Sequence, residues 1–187
     1  MRNEKPEPLS EHRRELVLAE YRALRDESMK RMDHRVTLLV SSLTISGAIL
    51  GFGVERKDGS LLLVAPVMAV LFGLLVLYHT AIVAEIAQHV ATRIEAPMNA
   101  LYDGAMGWHT RPERQNRFRG LSLLHLPIML TVLAPTVAAL VLAWQFDGSL
   151  GTKIPLAVLD GALVVYYLVQ YTRRISRSSA RADGKAA

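Results

Sequence analysis

Long apolar blocks alternate with strongly charged blocks along this chain. Four of the apolar blocks cover roughly 18 to 24 residues each, and an α-helix that rises about 1.5 Å per residue needs about 20 residues to cross the hydrocarbon core of a bilayer. These blocks are Val36–Val54, Leu61–Val83, Leu121–Trp144 and Ile154–Tyr171. The pattern therefore predicts an all-α integral membrane protein in which four transmembrane helices pack as a bundle.

The polar blocks define the remaining segments. Residues 1–35 precede the first span, and because residues 11–35 contain neither Gly nor Pro we expect one long charged helix that runs directly into it. Residues 84–120 connect the second span to the third, and we expect Pro97 to end the helix that begins this connection. Residues 172–187 are polar, small and basic, and we expect this tail to be disordered.

The N-terminal helix has two features of its own. Asp26–Lys30 and Glu27–Arg31 are acid–base pairs four residues apart, with the acid nearer the N-terminus, which is the more stabilising order. A thin seam with a 4-3-4 spacing is formed by Val17, Tyr21, Leu24 and Ser28. Either the seam packs on a partner helix, or the helix lies solvated near the bilayer surface.

The distribution of Lys and Arg predicts the orientation of the spans. Of the 22 Lys and Arg residues, all but Arg56, Lys57 and Lys153 lie in the N-terminal segment, the central connection or the tail. The positive-inside rule then places both termini and the central connection in the cytoplasm. The long charged segment before the first span does not resemble a signal peptide, so we expect that span to remain in a multi-pass protein of the cell membrane.

Two basic clusters flank the spans on the predicted cytoplasmic side. They are Arg111, Arg114, Arg117 and Arg119 in the central connection, and Arg173 and Arg174 at the start of the tail. Juxtamembrane clusters of this kind attract anionic lipid headgroups, and they also account for the formal net charge of +5. We therefore expect the bilayer and its anionic headgroups as partners, and no nucleic acid.

The first span is rich in small residues and contains a GxxxG motif, formed by Gly47 and Gly51. Two small residues one turn apart let another backbone approach closely, which matters in lipid because no hydrophobic force drives helices together there. We expect Gly47 and Gly51 to pack inside the four-helix bundle, because three other spans need contacts. The alternative is an interface between copies of the chain.

Asp160 is the intramembrane polar residue that carries the most information. By helical rise it lies about 9 Å below the end of the fourth span, and a carboxylate at that depth commonly faces a bundle interior or a water-filled cavity. Its carboxyl group either lines a path for protons or cations, or reaches interfacial water or a hydroxyl group of a neighbouring span. We favour the second, structural interpretation.

Histidines and carboxylates gather near the predicted inner face. The candidates for a metal site are His79, Glu85, His89 and His125, of which Glu85 and His89 share one helix face. Imidazole and carboxylate groups are ligands for zinc or iron, but the chain has no HExxH motif and no cysteine. Because P-loop, GxGxxG and Gly-x-Ser-x-Gly motifs are also missing from the sequence, we expect no metal, no cofactor and no enzymatic activity.

A charged motif precedes the first span, and a spaced apolar motif follows the second. The first is Glu20-Tyr21-Arg22-Ala23-Leu24-Arg25-Asp26-Glu27, and the second comprises Ile86, Val90, Ile94 and Glu95. Together they resemble a group of actinobacterial-type integral membrane proteins in which an E-Y-x-A-L-R-x-E helix leads into the spans. The resemblance covers roughly half of the chain and implies the architecture alone, because no activity is attached to that group.

These observations predict a non-enzymatic membrane component that self-associates or binds a partner, a homo-oligomer being one such association. An ion-conducting or membrane-perturbing effector is the first alternative, in which an oligomer forms a pore that Asp160 lines. A membrane enzyme that uses the inner-face His and Glu residues as a metal site is the second alternative.

Overall fold

The structure is a computed structural model that describes the backbone of residues 11–102, 122–147 and 149–182, and the side chains of residues 11–102, 128–147 and 149–173. Its helices are α1 (Glu11–Arg56), α2 (Gly59–Leu62), α3 (Val64–His89), a π-helical segment (Val90–Glu95), α4 (Ala96–Tyr102), α5 (Ser122–Gln145) and α6 (Leu150–Ala182). The described part of the chain contains no β-strand, and one isolated bridge joins Asp58 to Asp147.

Four helical stretches are long and apolar enough to cross a membrane. They lie in α1, in the continuous stretch from α2 to α4, in α5 and in α6. The predicted helical fold, with four helices long and apolar enough to span a membrane, is therefore confirmed. Regular helices suit a bilayer because each backbone N–H and C=O group finds its partner within the same segment.

The chain divides into two compact units. The hairpin unit comprises Met1–His34 and His79–Arg119, and the bundle unit comprises Arg35–Tyr78 and Gly120–Ala187. The four predicted spans lie almost entirely in the bundle unit, whereas the charged N-terminal helix belongs to the hairpin unit.

In the hairpin unit, the first half of α1 lies beside the end of α3. Oε1 of Glu20 is 3.2 Å from Nε2 of His89, and the ring centroids of His34 and His79 are 5.9 Å apart. The order of these contacts shows that the two helices run antiparallel. The predicted pair of Glu27 and Arg31 is present as well, with Nε of Arg31 donating to Oε1 of Glu27 at 2.6 Å.

The seam on α1 follows the partly buried side of this helix. Its members Val17, Tyr21, Leu24 and Ser28 are all half-buried, whereas most other positions of the segment are exposed. The seam is therefore not fully solvated.

The expectation that Pro97 ends its helix is wrong. Helical structure continues through the π-helical segment and α4 to Tyr102. A π-helix holds one more residue per hydrogen-bonded turn, and the N–H of Ala96 accordingly donates to the carbonyl of Ala91, five residues back. This wider turn moves the preceding carbonyl groups away from the proline ring, which would clash with them in an α-helix. Val90, Ile94 and Glu95 are buried in the π-helical segment.

Two apolar clusters hold the bundle unit together. The connector cluster consists of Leu62, Leu63 and Ala143, with Leu50, Leu140, Leu142, Phe146 and Leu156 packed against them. The central cluster consists of Ala69, Val70, Leu77, Val132, Tyr167 and Tyr171, together with five partly buried neighbours. The connector cluster therefore joins α1 and α2 to α5 and α6, and the central cluster joins α3 to α5 and α6.

The turn that ends α1 is a Schellman motif, a helix cap made by two backbone hydrogen bonds. The N–H of Asp58 donates to the carbonyl of Gly53 at 3.0 Å, and that of Lys57 donates to the carbonyl of Val54 at 3.2 Å. Lys57 has a φ of 54°, the left-handed conformation that glycine usually supplies at this position. Asp58 then caps α2, because its carboxylate accepts a 2.9 Å hydrogen bond from the N–H of Ser60.

The two connections, between α1 and α2 and between α5 and α6, meet at one end of the bundle unit, called here the connector end. The N–H of Gly59 donates to the carbonyl of Asp147 at 3.0 Å. The Lys153 ammonium donates to the carbonyl of Phe146 at 2.6 Å. Gly59 has no room for a side chain, since a Cβ there would lie 2.6 Å from Cε of Lys153 and in collision with the carbonyl of Ala143.

Helix α6 extends beyond the fourth predicted span. It continues to Ala182, so the expectation of disorder is wrong for residues 172–182. Residues 183–187 lie outside the described part of the chain. The continuation has no Gly or Pro that would end the helix before Gly184.

Candidate functional site: a buried polar layer

Apolar side chains cover the outside of the bundle unit, while several polar ones are buried inside. Exposed examples are Val36 and Val40 on α1, Val137 and Val141 on α5, and Val158 and Val165 on α6. Buried polar side chains of this unit are Ser42, Ser46, Thr136, Lys153 and Asp160. Apolar side chains on the outside fit a lipid environment. The distribution of apolar and polar side chains is therefore consistent with a multi-pass membrane protein.

Asp160 lies between the two apolar clusters. It follows Leu156 of the connector cluster by one turn of α6 and precedes Tyr167 of the central cluster by two turns. The carboxyl group is fully buried, and it faces protein rather than lipid or solvent.

Hydroxyl groups on α1 and α5 lie at the same level as Asp160. Ser46 is one turn from Leu50, and Thr136 is one turn from Leu140, and both of these leucines pack in the connector cluster with Leu156. In each helix the polar residue lies about 6 Å farther from the connector end than the leucine does. Asp160, Ser46 and Thr136 therefore form a polar layer between the two clusters, and Ser42 extends it by one further turn along α1.

The groups of this layer differ in whether they have a hydrogen-bond partner. Oγ1 of Thr136 donates to the carbonyl of Val132 at 2.7 Å within its own helix. Both carboxyl oxygens of Asp160 and the hydroxyl groups of Ser42 and Ser46 have no hydrogen-bond partner among the described residues. Buried polar atoms are seldom left unpaired, so these oxygens mark a place where water or a ligand is needed.

Tyr167 adds a further hydroxyl group to the interior. The ring is fully buried, lies 6.2 Å from the ring of Tyr171 and leaves its Oη without a described partner. Gly73 makes room for it, since a Cβ on Gly73 would lie 3.0 Å from Cε2 of Tyr167 and 2.6 Å from Cγ2 of Val132. Side chains of a helix lean toward its N-terminus, which on α6 is the direction of Asp160.

Sequence reasoning singled out Asp160 but not the residues that share its layer. The structure adds Ser42, Ser46, Thr136 and Tyr167 to the interior around it. The spacing of these residues in the sequence could have indicated that they share the interior. Ser42 and Ser46 are one helical turn apart, and Asp160 and Tyr167 are two turns apart, so each pair lies on a single helix face.

The candidate metal ligands whose side chains are described do not come together. No three His, Cys, Asp or Glu side chains form a metal-binding group within the part of the chain whose side chains are described. Glu85 is exposed, His89 pairs with Glu20 and His79 lies beside His34. The side chain of His125 lies outside the described residues.

The expectation that Gly47 and Gly51 pack inside the bundle is wrong. Both are exposed, and a Cβ built on either would meet nothing within 4 Å. The interior face of α1 is instead formed by Ser42, Ser46 and Gly53. Gly53 is the closely packed glycine of this helix, since its Cβ would lie 2.5 Å from Cδ2 of Leu62.

Most of the predicted lipid-binding arginines lie outside the described residues. This applies to Arg111, Arg114, Arg117 and Arg119, and to the side chain of Arg174. Arg173 is described and exposed on α6.

Comparisons with protein-family models, with curated proteins and with solved structures give no match for this chain. The candidate site therefore rests on the geometry described above.

Proposed function

We propose that this protein is a multi-pass component of a bacterial cell membrane that self-associates through the outward face of α1. The observation that supports it most directly is the open space around Gly47 and Gly51. Within the described part of the chain these glycines make no close packing contact, although a GxxxG pair is a common means by which two membrane helices approach closely.

The surroundings of the two glycines suit a second helix. Val40, Leu43 and Val54 are exposed and lie one or two turns from them along the same side of α1. Side chains of this kind form ridges on either side of a glycine groove, so that a second copy of α1 gains van der Waals contact that lipid chains supply less well. A homo-oligomer would bury this face.

The orientation and the lipid contacts form part of the same proposal. The distribution of Lys and Arg favours cytoplasmic termini and a cytoplasmic hairpin unit, and the resemblance to actinobacterial-type membrane proteins favours the same architecture. Arg173 and the arginines of the central connection would then contact anionic headgroups. No enzymatic step is part of this proposal.

The experiment compares two glycine substitutions in the full-length protein. Gly47→Leu with Gly51→Leu is expected to weaken self-association in mild detergent at least about tenfold, because bulky side chains hold the backbones apart. Gly161→Leu is the matched control, since Gly161 is also helical and exposed with open space around it but has no GxxxG partner. Light scattering or fluorescence transfer measures the oligomer.

Three results of this comparison contradict the proposal. The first is a wild-type protein that remains monomeric over the whole concentration range in mild detergent and in lipid nanodiscs. The second is an oligomer that the double substitution leaves unchanged. The third is an oligomer that Gly161→Leu weakens equally, which would show a general effect of bulk rather than an interface at α1.

Ion conduction is a second candidate function, and the burial of Asp160 inside the bundle unit is the observation in its favour. Conducting proteins place ionisable residues away from lipid, on faces that meet other helices or water. Under this candidate, planar bilayers containing the protein show a conductance that Asp160→Asn alters. A conductance that the substitution leaves unchanged, or no conductance at all, argues against it.

A further inference from the structure

Besides Tyr167, three buried side chains in the bundle unit carry oxygen atoms without a hydrogen-bond partner among the described residues. Asp160 is 0% exposed, Ser46 is 1% exposed and Ser42 is 2% exposed. Both carboxyl oxygens and both hydroxyl groups lack a hydrogen-bond partner. A buried unpaired polar group is destabilising, and a buried unpaired charge is more so, which favours an occupant that these oxygens can bind.

The three groups lie at neighbouring levels of two helices that pack against the same apolar cluster. Leu50 of α1 and Leu156 of α6 pack in the same connector cluster. Ser46 and Asp160 each lie one turn from these leucines, and both steps lead away from the connector end. The hydroxyl of Ser46 and the carboxyl of Asp160 are therefore placed at one depth, and Ser42 lies one turn deeper on the same face of α1.

The other groups around this layer supply no compensating charge. Lys153 lies two turns from Asp160 on α6, but its ammonium group donates to the carbonyl of Phe146 at the connector end. On α3 the buried residues at and beside this level are Ala65, Pro66, Ala69 and Val70, none of which titrates. The hydroxyl group of Thr136 on α5 donates to a carbonyl of its own helix, and Tyr167 is a buried, neutral phenol.

We propose that Asp160, Ser46 and Ser42 form a binding site for a small monovalent cation of the Na⁺ class. The donors are all oxygen atoms, which hard cations prefer, and a single carboxylate balances one positive charge. Calcium and magnesium sites generally combine more oxygen ligands and more negative charge than this. The carboxyl oxygens of Asp160 and the hydroxyl oxygens of Ser42 and Ser46 have no hydrogen-bond partner among the described residues, so all of them are available as ligands.

A bound proton alone explains less of the arrangement. Protonation neutralises Asp160, but the new O–H group finds no described acceptor within hydrogen-bond distance and both serine hydroxyl groups stay unpaired. A cation bound by the carboxyl group and both hydroxyl groups would satisfy all three side chains, which a proton on Asp160 does not. The site is independent of self-association and of conduction, because a cation can bind at equilibrium without crossing the membrane.

The test uses a hydrophobic carbodiimide, which modifies protonated carboxyl groups in apolar surroundings. The full-length protein in mild detergent is treated in sodium-free buffer, and peptide mass spectrometry locates the adduct. We expect an adduct on Asp160 whose rate of formation falls about tenfold or more as NaCl replaces choline chloride at constant ionic strength, because bound Na⁺ excludes the proton. Equal rates of adduct formation in the two salts overturn the proposal and favour a protonated carboxyl group. The absence of an adduct on Asp160 in sodium-free buffer also overturns the proposal.

Variants separate the site from a general effect of salt. Ser42→Ala with Ser46→Ala keeps the adduct but requires about tenfold more NaCl for the same protection. Thr44→Ala is the matched control, because its hydroxyl is exposed and bonded to the carbonyl of Val40, and it is expected to keep wild-type protection. Equal NaCl dependence in all three proteins overturns the role of the serines.

A second measurement does not depend on labelling. NaCl is expected to raise the thermal unfolding temperature of the wild-type protein above its value in choline chloride, and Asp160→Asn is expected to abolish that difference while the protein stays folded. A difference that persists in Asp160→Asn, or is missing from the wild type, contradicts the proposal. Gly47→Leu with Gly51→Leu should retain the Na⁺ effect, so failure of self-association does not touch this site.

Discussion

The ammonium group of Lys153 donates a 2.6 Å hydrogen bond to the backbone carbonyl of Phe146, seven residues before it in the chain. Phe146 directly follows the end of α5, so no later N–H group of that helix can donate a hydrogen bond to its carbonyl. Lys153 lies in the second turn of α6. This one contact joins the end of α5 to the beginning of α6.

Replacing Lys153 by Met is expected to destabilise the protein by about 1.5–3 kcal/mol, the usual range for a hydrogen bond to a charged group. Met preserves most of the volume beside Gly59 but leaves the carbonyl of Phe146 without a donor. Reversible unfolding in a titration of SDS into mild-detergent micelles measures the change. Lys30→Met is the control, since Lys30 is exposed on α1 and should change stability by less than about 0.5 kcal/mol. Equal effects of the two substitutions would mean that the contact contributes nothing.

Gly73 is a position where one added methyl group should damage the bundle unit. A Cβ there would lie 2.6 Å from Cγ2 of Val132 and 3.0 Å from Cε2 of Tyr167, so Gly73→Ala is expected to cost about 1–3 kcal/mol by overpacking. Gly161→Ala should instead be neutral or stabilising by up to about 1 kcal/mol, because its Cβ meets nothing and alanine favours a helix. The same unfolding titration compares them. A Gly73→Ala protein as stable as Gly161→Ala would show that the core can relax around the methyl group.

The number and position of the spans were predictable because lipid imposes a strong and simple constraint. A bilayer requires about 20 consecutive apolar residues and leaves no backbone group unpaired, so length and composition alone locate the helices. The sequence also singled out Asp160, but the favoured interpretation, contact with interfacial water or with a hydroxyl group, differs from the structure, in which the carboxyl group is fully buried and has no hydrogen-bond partner among the described residues.

Which face of each helix points inward was not predictable. In lipid the outside of a bundle is as apolar as its inside, so hydrophobic periodicity carries little information on facing. Helix α1 has small residues on both sides, and the sequence alone does not show that Ser42, Ser46 and Gly53 face inward while Gly47 and Gly51 face outward.

The continuation past Pro97 escaped prediction for a different reason. A π-helical turn differs from an α-helical one by a single residue of register and has no characteristic composition. In this segment Val90, Ile94 and Glu95 are buried, and burial depends on contacts with distant parts of the chain that the local sequence does not show.

Lys57 should be a site of conformational strain that substitution can relieve. Its φ of 54° is in the left-handed region, which costs an L-residue about 1–2 kcal/mol relative to glycine. Lys57→Gly is therefore expected to stabilise the protein by about 1 kcal/mol while keeping the Schellman hydrogen bonds. Lys57→Ala is the control for the lost charge, because alanine keeps the Cβ and should bring little or no gain. If alanine stabilises as much as glycine, the effect arises from charge rather than from the backbone.

The pair of Glu20 and His89 should contribute little to the hairpin unit despite its 3.2 Å separation. Both side chains are roughly half exposed, and ion pairs in such positions are worth about 0–1 kcal/mol because water screens them. Glu20→Gln is expected to change the hydrogen-exchange protection of α1 by no more than about fivefold, whereas Leu24→Ala, which removes half-buried apolar surface from the seam, should lower it more. Hydrogen exchange of the full-length protein in nanodiscs distinguishes the two. Protection that falls further in Glu20→Gln than in Leu24→Ala would show that the polar contact, and not the seam, holds the two helices together.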